Sequence, residues 1–143
     1  MNFKPEELLR KLHKGDELPS LIVVYGEDSY YRSKIAGAMA DYVFGDTPEE
    51  DRQQASFAKD TELGVLETEI NSYPFFCGRS LVVITDAKLL GKAESENAKK
   101  QQERLGAILT NLPDYCVVFI NVPKMDGRTK FFKDLGKVGA VVN

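Results

Sequence analysis

The chain has 143 residues, of which 43% are hydrophobic and 29% are charged, a balance typical of one globular domain with its own core. This composition excludes a disordered chain, and the formal net charge of −3 argues against sequence-independent DNA binding, which needs clustered lysine and arginine. The charge is uneven, since residues 1–75 hold 8 basic and 15 acidic groups and residues 76–143 hold 11 and 7, so a weak nucleic-acid role for the basic half stays open.

The first residues lack the apolar core of a signal peptide, and no window approaches 18 consecutive apolar residues. The two cysteines, Cys77 and Cys116, form no CxxC pair, and we expect both to be reduced. His13 is the one histidine and has no partner at ligand spacing, so we expect no metal site. The sequence therefore predicts a soluble, cytoplasmic protein.

Four strong apolar runs and one weaker run predict five β-strands. The strong runs are continuous and rich in β-branched residues, which is typical of parallel strands that are covered on both faces. In chain order the predicted strands span residues 21–25, 54–57, 81–84, 116–120 and 140–142, and the second is the weaker one.

Segments with apolar residues at a spacing near 3.6 predict the helices that cover this sheet. They span residues 5–14, 29–44, 61–70, 101–112 and 127–137. Gly15 is expected to end the first helix and Thr61 to cap the third, while residues 88–100 are poor in apolar side chains and predict a mobile excursion. The alternation predicts an α/β domain with a mainly parallel five-stranded sheet and helices on both faces, in three layers.

The segment from Gly26 to Ser33 follows the first strand, where nucleotide-hydrolysing α/β proteins cradle phosphate. Gly26 and Ser33 fit that motif, but Tyr31 replaces its second glycine and Arg32 replaces its lysine. The intervening Glu27-Asp28 would repel a triphosphate. Asp86, after the third strand, lacks the second acid of a magnesium site. The pattern predicts a degenerate nucleotide loop made of these residues: Gly26, Tyr31, Arg32, Ser33 and Asp86.

The same polar residues also have a structural interpretation. Asp28 or Ser29 is suited to cap the second helix. An aspartate that follows a strand, as Asp86 does, more commonly caps or turns the chain. Asn121, after the fourth strand, is expected to hydrogen-bond within its loop.

Three segments together resemble the N-terminal domain of the bacterial DNA polymerase III delta subunit. They are residues 21–28, residues 74–83 and residues 126–139, and the pattern Asp-x-Arg-x-Lys-x-x-Lys-x-Leu-x-Lys-x-Gly of the last is the strongest. The resemblance implies one AAA+-like N-terminal domain over residues 1–143, with a P-loop NTPase type of fold, a degenerate nucleotide site and no cofactor. It also implies the sheet order 5-1-4-3-2 of the predicted strands, and it leads us to expect that the helical and collar domains that follow in the family are absent from this chain.

The resemblance implies a function as well. Such domains bind and help open the ring-shaped sliding clamp as a non-catalytic part of the clamp loader in DNA replication. The implied partners are the clamp (the beta subunit), other clamp-loader subunits and, indirectly through the complex, DNA, with no membrane. The clamp-contacting tip corresponds here to Tyr73, Pro74, Phe75 and Phe76, where the family commonly has Leu-Phe.

Physical chemistry independently favours an interface at this tip. Pro74 stops the preceding helix and fixes a turn, and large apolar side chains at such a tip favour a partner that buries them. The alternative is that Phe75 and Phe76 are core residues beneath the loop. Arg79, next to the tip, is expected to have a structural role. The basic residues of the last helix are expected to form a solvated face: Arg128, Lys130, Lys133 and Lys137.

Two other functions stay open at this point. One is a nucleotide-dependent ATPase or phosphotransferase that uses Gly26, Arg32, Ser33 and Asp86. The other is a protein-interaction domain of unrelated purpose. No intrinsic catalysis is expected, although the resemblance implies a subunit of the DNA polymerase III complex, whose activity as a whole is that of a DNA-directed DNA polymerase.

Overall fold

Six β-strands and five α-helices make up the fold in a computed structural model that describes residues 1–143. The strands are β1 (Asn2–Phe3), β2 (Leu21–Tyr25), β3 (Gln54–Phe57), β4 (Ser80–Ile84), β5 (Cys116–Val122) and β6 (Ala140–Val142). The helices are α1 (Pro5–Lys14), α2 (Ser29–Phe44), α3 (Leu63–Asn71), α4 (Glu96–Leu109) and α5 (Lys130–Val138). A 3-10 helix spans Glu49–Asp51 between α2 and β3.

All six strands belong to one parallel sheet with the order β1-β6-β2-β5-β4-β3. The predicted α/β class, the parallel sheet and the order of the five predicted strands are confirmed. The predicted number of strands is wrong, because Asn2–Phe3 adds a sixth strand beside β6. Two residues are too few to show a hydrophobic period, and this strand is held at its start by Val141 N–H, which donates to the Met1 carbonyl at 2.7 Å.

Two apolar cores lie on opposite faces of the sheet, so the domain has three layers. Successive residues of β2 alternate between them: Leu21 and Val23 join the core under α3, α4 and α5, whereas Ile22 and Val24 join the core under α1 and α2. All four side chains are buried. Burial on both faces is the reason that the strands are continuously apolar in the sequence.

The first two helices begin and end where the sequence predicts. Gly15 ends α1 in the left-handed conformation with φ of 72°, and its N–H donates to the Leu12 carbonyl. Asp28 caps α2, because its Oδ1 accepts from Tyr30 N–H at 2.9 Å. None of the five α-helices combines the length and the apolarity that crossing a membrane requires.

The other three helices differ from prediction at their ends. Glu62, not Thr61, precedes α3, and α5 begins at Lys130 behind its cap Thr129, whose Oγ1 accepts from Phe132 N–H. The helix α4 begins at Glu96, within the predicted excursion over residues 88–100, because Ser95 caps it through the Ala98 N–H. Leu90, in the same segment, is buried and joins the core, so the excursion is anchored.

Candidate functional site

The turn between α3 and β4 carries an exposed aromatic tip, defined here as residues 73–76. The exposed fractions of Tyr73, Phe75 and Phe76 are 58%, 82% and 80%. Pro74 is buried, so within the predicted site it shapes the turn. Phe75 and Phe76 are therefore surface residues and do not belong to the core.

Neighbouring side chains hold the base of this tip. Tyr73 contacts Phe75 with ring centroids 5.4 Å apart, and it contacts Tyr115 at 5.2 Å. Arg79 has the structural role that was expected, because its Nη2 donates to the Tyr42 carbonyl at 2.9 Å and its guanidinium lies over the Tyr42 ring. The aromatic side chains thus project from a turn that is fixed to α2 and to the start of β5.

The predicted nucleotide loop is short. Only Gly26, Glu27 and Asp28 lie between β2 and α2, so Tyr31, Arg32 and Ser33 already belong to the helix. Gly26 has φ of 140°, and a Cβ there would lie 3.3 Å from Asn143 Oδ1. The cavity at this loop has a volume of about 240 Å³, below the usual range for ligand pockets.

Asp28, Arg32 and Asn121 make hydrogen bonds within the protein in and around this loop, whereas Arg32 Nε is buried without a hydrogen-bond partner. Asp28 places its carboxylate at the N-terminus of α2, the position that a phosphate would take at a helix end. Arg32 Nη1 donates to Asn121 Oδ1 at 3.2 Å, so Asn121 makes the hydrogen bond expected of it. Ser33 is exposed and Tyr31 is half-buried.

Asp86 is the one buried carboxylate, with 4% exposure, and it lies after β4. Its Oδ2 accepts from both the Thr61 N–H (3.1 Å) and the Thr61 hydroxyl (2.8 Å), and its Oδ1 accepts from Leu89 N–H (3.2 Å). Burial raises the pKa of Asp86, but these hydrogen bonds outweigh it and hold the pKa below its usual value. Asp86 therefore ties the start of α3 to the turn after β4, and it makes no hydrogen bond or ion pair with Gly26, Arg32 or Ser33.

The two predicted sites lie at opposite ends of the parallel strands, and these two ends are the edges of the sheet that are meant here. The tip lies at the amino ends of β3, β4 and β5, whereas the nucleotide loop and Asp86 lie at the carboxyl ends of β2 and β4. A strand of five residues separates these edges by about 16 Å. The structure does not bring them together.

A family model described as DNA polymerase III, delta subunit, matches residues 23–143. The chain belongs to this family. The match runs from within β2 to the end of β6 and therefore includes the tip, Asp86 and the last helix. No curated protein matches the chain.

Two solved structures share the fold of this delta-family chain. The Bacillus subtilis DNA clamp loader delta protein superposes with a TM-score of 0.77 at 18% identity, covering 96% of this chain and 41% of that one. A DNA polymerase III gamma subunit-related protein from Thermotoga maritima gives a TM-score of 0.61 at 18% identity, covering 97% of this chain and 45% of that one. The chain thus spans less than half the length of either protein.

The strongest pattern of the delta resemblance has a local structural explanation at its start. Asp126 accepts hydrogen bonds from the backbone N–H and the guanidinium of Arg128, and these bonds lower its pKa to about 2. Lys130 and Lys137 both pair with Asp134, at 3.0 and 3.6 Å. Two acids of the same segment therefore balance half of the four predicted basic charges, of which Arg128 lies before α5 and Lys133 has no ion pair.

Sequence reasoning did not find two residues that support the tip. Tyr115 contacts the tip through its ring, and Gln53 Nε2 donates to the Ser72 carbonyl at 2.8 Å. Both residues immediately precede strands that flank β4. The sheet order 5-1-4-3-2 was the one signal that could have indicated their position near the tip, because it places the second and fourth predicted strands on either side of the third.

Proposed function

We propose that this delta-family chain is a non-catalytic clamp-loader domain that binds the sliding clamp through Tyr73, Phe75 and Phe76 and helps open it. The observation that carries the proposal is the exposure of three large aromatic side chains on one fixed turn. Pro74, which is buried, sets the turn. Membership of the delta family supports the clamp as the partner.

The free energy for this function comes from burial of the tip in a partner. Contiguous exposed apolar groups mark interaction sites, and an aromatic anchor in a well-packed pocket contributes about 2 kcal/mol or more. Phe75, whose ring already contacts Tyr73, and the neighbouring Phe76 are suited to be such anchors. The tip would then account for much of the affinity with little rearrangement.

Opening the clamp places a further requirement on the tip. A ligand shifts a conformational equilibrium only by its difference in affinity for the two states. We therefore propose that the tip binds the open ring more tightly than the closed ring. No bond chemistry in this chain is needed for that step.

The proposal includes an AAA+-like body with a degenerate nucleotide site. The loop after β2 has three residues, the Asp28 carboxylate already takes the helix N-terminus, and Arg32 is bound to Asn121. Asp86 is fully engaged with Thr61 and Leu89. These contacts argue against the ATPase or phosphotransferase alternative, and ATP would then act through other subunits.

The proposed partners follow from the same family. They are the sliding clamp, the other clamp-loader subunits and, through the assembled complex, DNA. The setting would be the cytoplasm, where the bacterial chromosome is replicated. DNA synthesis itself would be catalysed by other subunits of the polymerase complex.

The test is binding of the cognate sliding clamp to immobilised wild-type chain and to the Phe75→Ala/Phe76→Ala variant. We expect the double variant to lose at least about 100-fold in affinity, because two anchors are removed. Its thermal midpoint should hold, since neither side chain is buried. Tyr30→Ala is the matched control, because Tyr30 is 57% exposed at the opposite edge of the sheet.

The outcomes separate the proposal from its alternatives. Loss of binding in the double variant alone supports the tip as the clamp site. Clamp binding that is unchanged in the Phe75→Ala/Phe76→Ala variant would contradict the assignment of the tip as the clamp site. No binding by the wild type would favour an interaction domain of unrelated purpose.

A further inference from the structure

The exposed tip continues inward as an aromatic ladder, defined here as Phe75, Tyr73 and Tyr115. The centroid separations along it are 5.4 and 5.2 Å, and both contacts have interplanar angles of 62°. Aromatic pairs at such distances and inclined angles are stabilising beyond their buried area. The exposed Phe75 ring is thereby connected to a half-buried ring at the start of β5.

Tyr115 also holds both ends of the loop that carries the tip. Its hydroxyl donates to the carbonyl of Asn71, the last residue of α3, at 2.8 Å. Its own carbonyl accepts from the N–H of Ser80, the first residue of β4, at 2.7 Å. One residue therefore fixes where the chain leaves the helix and where it enters the strand.

Gln53 makes the same kind of connection from the other neighbour of β4. Its side chain donates to the Ser72 carbonyl, and its carbonyl accepts from Leu81 N–H at 3.0 Å. The carbonyls of Asn71 and Ser72 lie at the C-terminus of α3, where no intrahelical donor remains for them. The loop is thus held from both sides, by residues that precede β3 and β5.

We propose that Tyr115 is a positioning residue for clamp binding, which rests on the proposed function of the tip. Tyr115 orders Tyr73, and through it Phe75, before the partner arrives. Ordering a side chain or a loop costs conformational entropy, so a tip that is already ordered binds with less loss. Tyr115 need not contact the clamp to have this effect.

The test uses Tyr115→Leu, which removes the ring and the hydroxyl, and Tyr115→Phe, which removes the hydroxyl alone. We expect Tyr115→Leu to weaken binding of the cognate clamp about tenfold and Tyr115→Phe to weaken it about threefold. In the background of Tyr73→Ala, the effect of Tyr115→Leu should fall to about the threefold effect of losing the hydroxyl, because the ladder is already interrupted while the hydroxyl still bonds to Asn71. If Tyr115→Leu does not fold, Tyr115→Phe carries the test.

Tyr25→Leu is the control for a general loss of stability. Tyr25 is also a half-buried tyrosine at a strand end, in edge-to-face contact with Phe132 at 5.4 Å, but it lies at the opposite edge of the sheet. It should lower the thermal midpoint much as Tyr115→Leu does and leave clamp affinity unchanged. Equal weakening by Tyr25→Leu would overturn the positioning role.

A second measurement does not need the clamp. Amide hydrogen exchange over residues 72–79 of the free chain should become faster in Tyr115→Leu and stay unchanged in Tyr25→Leu. Unchanged exchange in Tyr115→Leu would overturn the inference even if the wild type binds the clamp. If the wild type does not bind, the proposed function fails, and hydrogen exchange still decides whether Tyr115 orders the tip.

If the wild type binds the clamp, the loss of clamp affinity caused by Phe75→Ala/Phe76→Ala tests the proposed function. Full affinity of Tyr115→Leu beside that loss would overturn the positioning role and leave the tip as the clamp site.

Discussion

A single buried carboxylate connects two distant segments of the chain. Asp86 accepts three hydrogen bonds, two from Thr61 and one from Leu89. The sequence predicts Asp86 as a residue that caps or turns the chain, and its bond to Leu89 N–H confirms this. It does not predict Thr61 as the partner, because that pairing depends on β3 lying beside β4.

We predict that Asp86→Asn lowers the free energy of unfolding by about 1–2 kcal/mol, because an amide replaces an acceptor that serves three partly buried donors. Urea unfolding of wild type and variant at neutral pH measures this difference. Thr61→Val removes only the hydroxyl donor and should cost less. A variant as stable as wild type would contradict the role given to Asp86.

The same residue predicts a pH dependence. Since the pKa of Asp86 is lower in the folded state than its ordinary value of 3.8, its ionised form stabilises the fold above that pH. This stabilisation is lost as the pH falls through the folded-state pKa. The stability difference between wild type and Asp86→Asn should therefore be constant near neutrality and shrink below pH 3.8. A difference that grows on acidification would contradict the sign.

At the scale of elements, Gly139 and Gly37 differ in the space that an added Cβ would find, although the sequence does not distinguish them. A Cβ at Gly139 would lie 2.9 Å from the Leu21 carbonyl oxygen, because the end of α5 passes close to β2. Gly37 lies on the exposed side of α2 with nothing within 4 Å of a Cβ. Close packing therefore explains the last glycine of the delta-like pattern at residues 126–139.

We predict that Gly139→Ala lowers the free energy of unfolding by about 1–3 kcal/mol through overpacking. In contrast, Gly37→Ala should raise it by about 1 kcal/mol, because alanine has the higher helix propensity. Thermal or urea unfolding of the two variants measures both signs. Stabilisation by Gly139→Ala would show that α5 does not need this close approach.

The type of an element could be predicted from the sequence where its apolar pattern is strong. The continuous runs of β2, β4, β5 and β6 were predicted because parallel strands bury both faces. The start of α4 was missed because its first turns are exposed and polar, so only the cap Ser95 marks it. The strand β1 was missed because it is defined by pairing with β6, a contact far along the chain.

At the scale of the whole molecule, the parallel sheet separates the tip from the nucleotide loop. Surface exposure of Phe75 and Phe76 could be anticipated from Pro74 and from the resemblance. The support that Tyr115 gives to Tyr73, and through it to Phe75, could not be anticipated from local patterns, because it requires β5 to lie beside β4. Contacts between neighbouring strands are thus the part of the candidate site that a local reading of the sequence leaves out.

The separation of the tip from the nucleotide loop leads to a last prediction. It concerns Arg32, which occupies the position of a phosphate-binding lysine. Its guanidinium is bound to Asn121, and Asp28 already occupies the N-terminus of α2. Calorimetric titration of the wild type with Mg-ATP should therefore give no saturable heat. Arg32→Ala should leave clamp affinity unchanged, since the tip lies at the other edge of the sheet.

The opposite results would each have a definite meaning. Micromolar Mg-ATP binding that Arg32→Ala abolishes would favour the enzyme alternative, because the loop would then hold phosphate in spite of Asp28. Weaker clamp binding by Arg32→Ala, without a matching loss of stability, would mean that the two edges are coupled through the sheet. In that case the strands between Arg32 and the tip would have to adopt two arrangements that both sites distinguish.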